Sequence, residues 1–377
     1  MKILIDARLY GLENAGIGRY VMSLVQEIYK LDQKNDYVIV LNGKYFNELK
    51  FGEKWKKVMF SGKHYGFSEQ LKLPRLIDAE KPDLVHFPHF NVPIRYKGKY
   101  VVTIHDMLMH KQKGVEATTL PRVVYYTKRL GYRKVFSNAI RRSEKVIVPT
   151  KYVQNEVCRY YKLQREKVIV TYEGVDKNIW AHAGTEKTVL RKYGLVGKYF
   201  VYAGNAYPHK NLARAIEAVT FLNKRLNDEN VVLAIATSRG VFQERLVRIV
   251  DNLDARKYVK LLGFVPDDEL GNIYAQSLGF VFPTLSEGFG LPGLEAMSAG
   301  TLALVSEIPV LKEVYRDHAI YFNPHDFSSI ERTMKNVMEM DPKKRRKMII
   351  EGKKLVERYS WEKMARETLA VYEEAAK

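Results

Sequence analysis

Short apolar runs alternate with helix-patterned stretches along this chain, and the alternation is completed twice. Strand-like runs stand at Lys2–Asp6, Tyr37–Leu41, Lys57–Phe60, Leu84–Phe87, Tyr100–Ile104, Val146–Pro149 and Val168–Thr171. Between Gly18 and Leu31 the apolar positions Tyr20, Leu24, Val25 and Ile28 recur at helical spacing. A second round follows, with strands at Phe200–Ala203, Val231–Ala236, Val259–Leu262, Leu278–Phe282, Leu302–Val305 and Ile320–Phe322. Parallel neighbours need a crossover of a dozen or more residues, and an intervening helix supplies it, so the pattern predicts mainly parallel sheets covered by helices. The expected architecture is α/β, with two doubly wound, Rossmann-like domains over residues 1–178 and 196–358 and a linker around Asp176 to Gly197. Ligands of such sheets bind beyond the carboxyl ends of the strands, which points to a cleft faced by both domains.

Composition removes several other classes. The 377 residues are 46% hydrophobic and 28% charged, as in soluble globular proteins. No run of 18 or more apolar residues occurs, so no membrane-spanning helix is expected. The start, MKILIDARLY, reads as a strand carrying an acid rather than as a signal peptide. The single cysteine, Cys158, excludes an internal disulfide and a thiolate metal cluster, and the cytoplasm is the simplest compartment. His86, His89 and His110 have no cysteine or carboxylate cluster at ligand spacing, so no metal and no cofactor are expected.

The net charge of +19 is unevenly placed: residues 1–180 hold 33 Lys+Arg against 18 Asp+Glu, and residues 181–377 hold 29 against 25. Arg122 to Lys145 contains eight cations and one acid, Glu144, interleaved with Val123, Val124, Tyr125, Tyr126, Leu130, Tyr132 and Phe136. Such a segment suits an anionic membrane surface or a lipid diphosphate, and equally suits an amphipathic helix packed on the sheet with its cations in water. A nucleic-acid-binding protein would also explain the charge, but no recognised binding module occurs, and nucleic acid is not an expected partner.

The chemistry concentrates in Ser286 to Met297, SEGFGLPGLEAM, after the late strand Leu278–Phe282. Pro292 suits the first helical position, where its missing N–H is no loss. Gly288, Gly290 and Gly293 are expected to let the backbone approach a ligand. The N–H groups of Gly290 and Leu291 would open a helix, a place that binds phosphate through unpaired donors and the helix dipole. Glu287 in the loop and Glu295 in the first helical turn offer acceptors for hydroxyls. Phosphate donors and hydroxyl acceptors together suit a sugar nucleotide.

The pattern E-x-F-G-L-P-x-x-E at the end of a late strand resembles the signature of the large family 4 of retaining glycosyltransferases with the GT-B fold. The resemblance extends over nearly the whole chain. It includes the glycine loop Ala15 to Tyr20, with Gly16 and Gly18, and His105-Asp106 after the strand Tyr100–Ile104. It includes the turn YFVYAGNAYPHKNL with Lys210, and a final helix over 359–377, whose apolar stripe Trp361, Met364, Ala365, Leu369 and Tyr372 would return it to the first domain. As a dinucleotide fingerprint the glycine loop is poor, because Val21 stands at the third glycine position.

The resemblance implies a metal-independent retaining glycosyltransferase that moves a sugar from a nucleotide diphosphate to an acceptor hydroxyl. His105, Lys210 and Glu287 would act at the reacting sugar and diphosphate. Gly16, Gly18, Asn205, Phe264, Val265, Phe289, Gly290, Leu291 and Glu295 would bind the donor, Glu295 through the ribose and Phe264-Val265 around the base. Asn205 stands where many members carry an arginine, which leaves Lys210, with His209, as the main side-chain phosphate contact. Taken alone, Lys210 also reads as a solvated helix-end lysine, and Phe264 equally as core. IDAR, GIGRY and AGNAYPHKN look most like bacterial enzymes extending cell-surface polysaccharides, mannosyltransferases among them. GDP-mannose is the first donor implied and UDP- or dTDP-sugars follow. The acceptor implied is a glycan, free or polyprenyl-diphosphate-linked, met by an enzyme peripheral on the inner membrane face. A sugar-nucleotide epimerase of the same fold is the alternative enzyme.

Overall fold

A computed structural model of the chain describes residues 1–62, 64–111, 122–176, 187–226, 230–237 and 240–377. It separates into two compact units, one formed by Met1–Gly174 with Trp361–Lys377 and the other by Val175–Ser360.

The first unit is built on seven strands: β1 (Lys2–Asp6), β2 (Asp36–Leu41), β3 (Trp55–Met59), β4 (Leu84–Phe87), β5 (Tyr100–Thr103), β6 (Lys145–Val148) and β7 (Val168–Val170). All pair in parallel in the order β3-β2-β1-β4-β5-β6-β7. Both faces of a parallel sheet are covered, so the central strands are apolar without alternation. Ile3, Leu4 and Ile5 are fully buried. Burial of each such side chain contributes about 1.5–3 kcal/mol. The order reverses direction between β1 and β4, and the loops that leave these two strands part there.

The helix Trp361–Ala376 belongs to this unit, as the final-helix expectation has it, and packs on the helix Ala15–Leu31 and on β4, β5 and β6. Its buried stripe is Trp361, Met364, Ala365, Thr368, Val371, Tyr372 and Ala375. Leu369 lies at the margin instead, because i, i+3, i+4 spacing from Met364 selects Thr368 and Val371. The small Thr368 is accommodated by donating its hydroxyl to the Met364 carbonyl at 2.8 Å. Tyr372 Oη lies 2.6 Å from His86 Nδ1, tying the helix to β4.

The helix Arg122–Arg142 resolves the basic segment into two parts, with the side chains of residues 122–125, including Val123, Val124 and Tyr125, outside the described residues. Its C-terminal part packs as the core reading has it, with Phe136, Ala139 and Ile140 buried. Its N-terminal part leaves Tyr126 and Leu130 exposed among Lys128, Arg129, Arg133 and Lys134.

The second unit repeats the scheme with β8 (Tyr199–Ala203), β9 (Val232–Ala236), β10 (Val259–Gly263), β11 (Phe280–Phe282), β12 (Ala303–Ser306) and β13 (Ile320–Phe322). These strands are parallel in the order β10-β9-β8-β11-β12-β13, so the reversal falls between β8 and β11. Of the expected linker, residues 177–186 lie outside the described residues, and Lys187–Lys192 form a short helix rather than an extended connection.

Candidate active site

In the second unit the loops leaving β8 and β11 are fastened together. Past Gly204, whose φ of +139° favours glycine, the chain runs to a single turn, Pro208–Lys210, and then to Asn211 with φ +59°. Asn211 Nδ2 donates to the carbonyls of Pro283 at 2.9 Å and Pro324 at 2.8 Å, while the His209 carbonyl accepts from Leu285 N at 2.8 Å. This stitching sets Lys210 against the loop after β11. Its Nζ lies 2.6 Å from Glu287 Oε1 and 5.4 Å from the centre of the Phe282 ring. The two side chains are only 15% and 12% exposed, which removes the reading of Lys210 as a solvated helix-end lysine. His209 beside it is held neutral, its pKa pushed down to about 3 by burial and by the Lys210 charge. Asn205 is half-buried in the same loop, where its carbonyl accepts from Tyr202 Oη at 2.7 Å.

The helix that follows runs Leu291–Ser298, capped by Gly290 at φ 96° and ψ 39°. Pro292 is therefore its second residue and Glu295 its fifth, each one residue later than expected, because the left-handed Gly290 makes Leu291 the first helical residue. The role expected of two glycines also changes. A Cβ on Gly293 would overlap the Tyr315 hydroxyl, and one on Gly290 would lie 2.7 Å from Leu311 Cδ2 and 3.3 Å from Tyr315 Cε2. Both positions make room for Tyr315, which is fully buried and donates its hydroxyl to the Gly290 carbonyl. Burial, then the charges of Glu287 and Glu295, raise the Tyr315 pKa, so this phenol stays a donor. Tyr315 thus holds the loop between the two glutamates, and no motif in the sequence pointed to it.

The remaining donor-side residues divide by exposure. Phe264, equally read as core, is 65% exposed past the carboxyl end of β10. Val265, Phe289 and Leu291 have buried side chains, Phe289 against Tyr359 at 5.4 Å between ring centres. Only their backbones could serve a ligand. Glu295 is 7% exposed.

In the first unit, the loop leaving β1 leads into the helix Ala15–Leu31. A Cβ on Gly16 would meet nothing within 4 Å, whereas one on Gly18 would strike the Gly11 carbonyl. Gly18 is therefore needed for a backbone crossing, and Gly16 is the glycine that faces open space. Ala15 takes φ 54° and ψ −136°, a conformation that favours glycine.

His105 follows β5, with Nε2 2.9 Å from the Pro88 carbonyl and Nδ1 3.3 Å from Glu173 Oε1. Burial lowers its pKa, and the hydrogen bond and charge of Glu173, with the Pro88 carbonyl, more than reverse this, so the net shift is upward. An imidazolium donates from both nitrogens, which fits these two acceptors. His86 is core, bonded to Tyr372 and Thr103, with its pKa pushed to about 3 by burial and then by His105. His110 pairs with Tyr161 at 2.8 Å. Among the described residues no group of three or more His, Cys, Asp or Glu could hold a metal ion, and no helix is long and apolar enough to cross a membrane.

Comparison with known proteins identifies the family to which the chain is similar. A model described as Glycosyl transferases group 1 matches residues 192–355, and one described as Glycosyltransferase Family 4 matches residues 15–178. The chain is 27% identical over 280 residues to the O-antigen chain mannosyltransferase RfbU of Salmonella typhimurium, covering 73% of this chain and 70% of that one. It is 24% identical over 391 residues to the O-antigen chain mannosyltransferase B of Escherichia coli, covering 99% of each. Its fold matches the crystal structure of Anabaena HepE in complex with UDP and glucose, with a TM-score of 0.75, 15% identity, and coverage of 99% of this chain and 100% of that one.

Proposed function

The chain is a glycosyltransferase of the GT-B fold, and on that premise we propose that it is a retaining, metal-independent mannosyltransferase of cell-surface polysaccharide synthesis. The donor is GDP-mannose and the acceptor is a hydroxyl of a growing glycan, free or carried on a polyprenyl diphosphate. The observation that carries this reading is the Lys210–Glu287 pair beside the Gly290 helix start, at the reversal point of the second sheet. Likeness to two O-antigen mannosyltransferases supports mannose as the sugar.

In this reading Lys210 keeps one N–H on Glu287 and turns the others to the diphosphate, whose departing charge it stabilises together with the N–H groups at Gly290 and Leu291. Glu287 accepts from the mannose hydroxyls and Glu295 from the ribose. Asn205, Phe264 and the backbone at Val265 and Phe289 frame the rest of the nucleotide. The bond from the anomeric carbon to the diphosphate oxygen breaks. The acceptor oxygen bonds to that carbon from the same face, and its proton passes to the leaving phosphate oxygen. GDP and an α-mannoside result.

A second reading, a UDP-sugar donor, is favoured by the likeness to HepE bound to UDP and glucose. Incubation with GDP-mannose, UDP-glucose or dTDP-glucose in EDTA, with a mannose-terminated acceptor, separates these readings. An α-linked product from GDP-mannose alone is expected. A β-linked product, or no transfer until a divalent cation is added, would remove the mechanism. Conversion of the donor sugar with no acceptor present would favour an epimerase.

For the membrane, Tyr126 and Leu130 amid cations are the apolar and basic parts of a surface-seeking helix. Flotation with anionic vesicles at low salt is expected for the wild type and is expected to weaken in Leu130→Glu. An equal float would exclude this helix.

A further inference from the structure

The positive charge of the second unit is concentrated in one helix. Val175–Ser360 holds 27 Lys+Arg against 22 Asp+Glu. The helix Pro342–Val356 alone holds seven cations against one acid, Glu351, so the rest of the unit is slightly acidic. One face of this helix is packed. A Cβ on Gly352 would lie 3.7 Å from Met297 Cγ, on the helix Leu291–Ser298. Leu355 and Val356 are buried, and Arg345 Nη2 donates to the carbonyls of Ser277 at 3.1 Å and Leu278 at 2.7 Å. The opposite face carries Lys343, Arg346, Lys347, Ile350 and Lys354, whose spacing of three and four residues makes a single stripe. All five are exposed, Ile350 by 49%.

Pairing within the unit does not account for the stripe. Among the described residues the one carboxylate within 4.0 Å of its cations is Glu351, 3.9 Å from Lys347. Lys343 stands one turn from Arg346 and Lys347, and like charges at that spacing repel. Lys343 and Lys344 also occupy the first turn, at the positive end of the helix dipole. Both effects disfavour the helix alone, and an external anion reverses both.

The shape of the stripe decides which anion. It runs about 16 Å along a convex helix surface, with an aliphatic side chain near its middle and no aromatic one. Single-stranded nucleic acid is gripped by aromatic platforms, and protein interfaces anchor on aromatic side chains and bury few lysines. A bilayer surface presents anions at every point and admits an isoleucine below its headgroups, with the lysine stems lying along it.

We propose that Lys343, Arg346, Lys347, Ile350 and Lys354 form a membrane contact of the second unit, which takes anionic lipid headgroups with Ile350 inserted among them. This surface is separate from the helix Arg122–Arg142 and does not depend on the transferase reading. Because its helix packs on Leu291–Ser298, lipid held there anchors the helix that carries Glu295.

Co-sedimentation with vesicles of phosphatidylglycerol and phosphatidylcholine in about equal parts, at about 0.05 M salt, tests the proposal. The parent protein is Leu130→Glu, which weakens the first unit's own surface. One variant adds Lys343→Gln, Arg346→Gln and Lys347→Gln; a control of equal charge adds Lys224→Gln, Arg256→Gln and Lys257→Gln, all exposed positions of the same unit. The stripe variant is expected to bind about a hundredfold more weakly than the parent, about fivefold for each cation, and the control to bind as the parent does. The stripe variant should melt no lower than the parent, because repelling charges have been removed, so its loss of binding is not a loss of fold. In Ile350→Trp, the tryptophan emission is expected to move to shorter wavelength with these vesicles and not with pure phosphatidylcholine. No binding by the parent, equal binding by parent and stripe variant, equal losses in both triple variants, or an unmoved emission would overturn the proposal. Tighter retention on double-stranded DNA than on the vesicles would also overturn it and assign the stripe to nucleic acid.

Discussion

The two sheets place a buried ion cluster at the same topological point and build it with opposite stoichiometry. Beyond β8 and β11, one lysine meets one carboxylate, and both side chains keep a little exposure. Beyond β1 and β4, one arginine is shared by two carboxylates, and the three side chains are 2%, 9% and 0% exposed. The first arrangement is balanced and can spare lysine N–H groups for an incoming diphosphate. The second is locked: the Arg8 guanidinium is committed to the carboxylates of both Asp6 and Glu69, and His64 stands 3.6 Å from Glu69 Oε1, so no cation there is as free as Lys210 to turn to an incoming diphosphate. A shared fold thus fixes where a ligand binds, and a few side chains decide what it is.

The sharpest way to break this contrast is to remove each cation. Arg8→Met leaves two buried carboxylates without their partner and is expected to cost about 3–5 kcal/mol of unfolding free energy in urea melts, with nucleotide binding by the folded fraction unchanged. A loss under about 1 kcal/mol would mean that the cluster is not locked. Lys210→Met is expected to act the other way, lowering the transfer rate about 10²–10³-fold, worth about 2.7–4 kcal/mol, with a small effect on melting.

The same contrast sharpens at the loops. Gly293→Ala drives a methyl group into the Tyr315 hydroxyl and is expected to destabilise the protein by about 1–3 kcal/mol. In Tyr315→Phe, which removes that oxygen, the Gly293→Ala penalty should shrink, and a double-mutant cycle on melting reads the difference. Additive losses would mean that Tyr315 does not constrain Gly293. Ala15→Gly relieves a positive φ at the other loop and is expected to stabilise by about 1 kcal/mol or leave stability unchanged.

The smallest effect expected is in pH dependence. His105 has a folded pKa above its unfolded value of 6.5, so its contribution is complete below pH 6.5 and is lost as pH rises through the folded value. His86, lowered to about 3, contributes above pH 6.5 and loses that contribution as the pH falls from 6.5 towards 3. Urea melts of His105→Gln should therefore lose the alkaline-side slope and keep the acid-side one. Identical pH profiles for variant and wild type would contradict the Glu173 contact.

Nearly all of the sheet framework was legible in the sequence because buried parallel strands are short apolar runs bounded by polar turns. β1, β4 and β13 fall where the pattern put them, and the others differ by one or two residues at one end or at both. What could not be read depends on distant residues. Tyr315 lies 22 positions beyond Gly293 and belongs to no motif, so the packing that requires a glycine at 293 could not be read. Glu69 reaches Arg8 across 61 positions, and nothing local marks that pairing. Glu295 was set one residue early because only φ at Gly290 says which residue begins the helix. Phe264 could not be sorted into core or surface until its neighbours were known.

The central claim is that the β8–β11 end of the second sheet holds the donor diphosphate through Lys210. Its most direct test is the melting of wild type and Lys210→Met with GDP, UDP and dTDP in EDTA. One nucleoside diphosphate, at about a hundred times its dissociation constant, should stabilise the wild type by roughly 2.7 kcal/mol and should lose most of that effect in Lys210→Met. Equal stabilisation of both proteins, or none by any of the three, would contradict it.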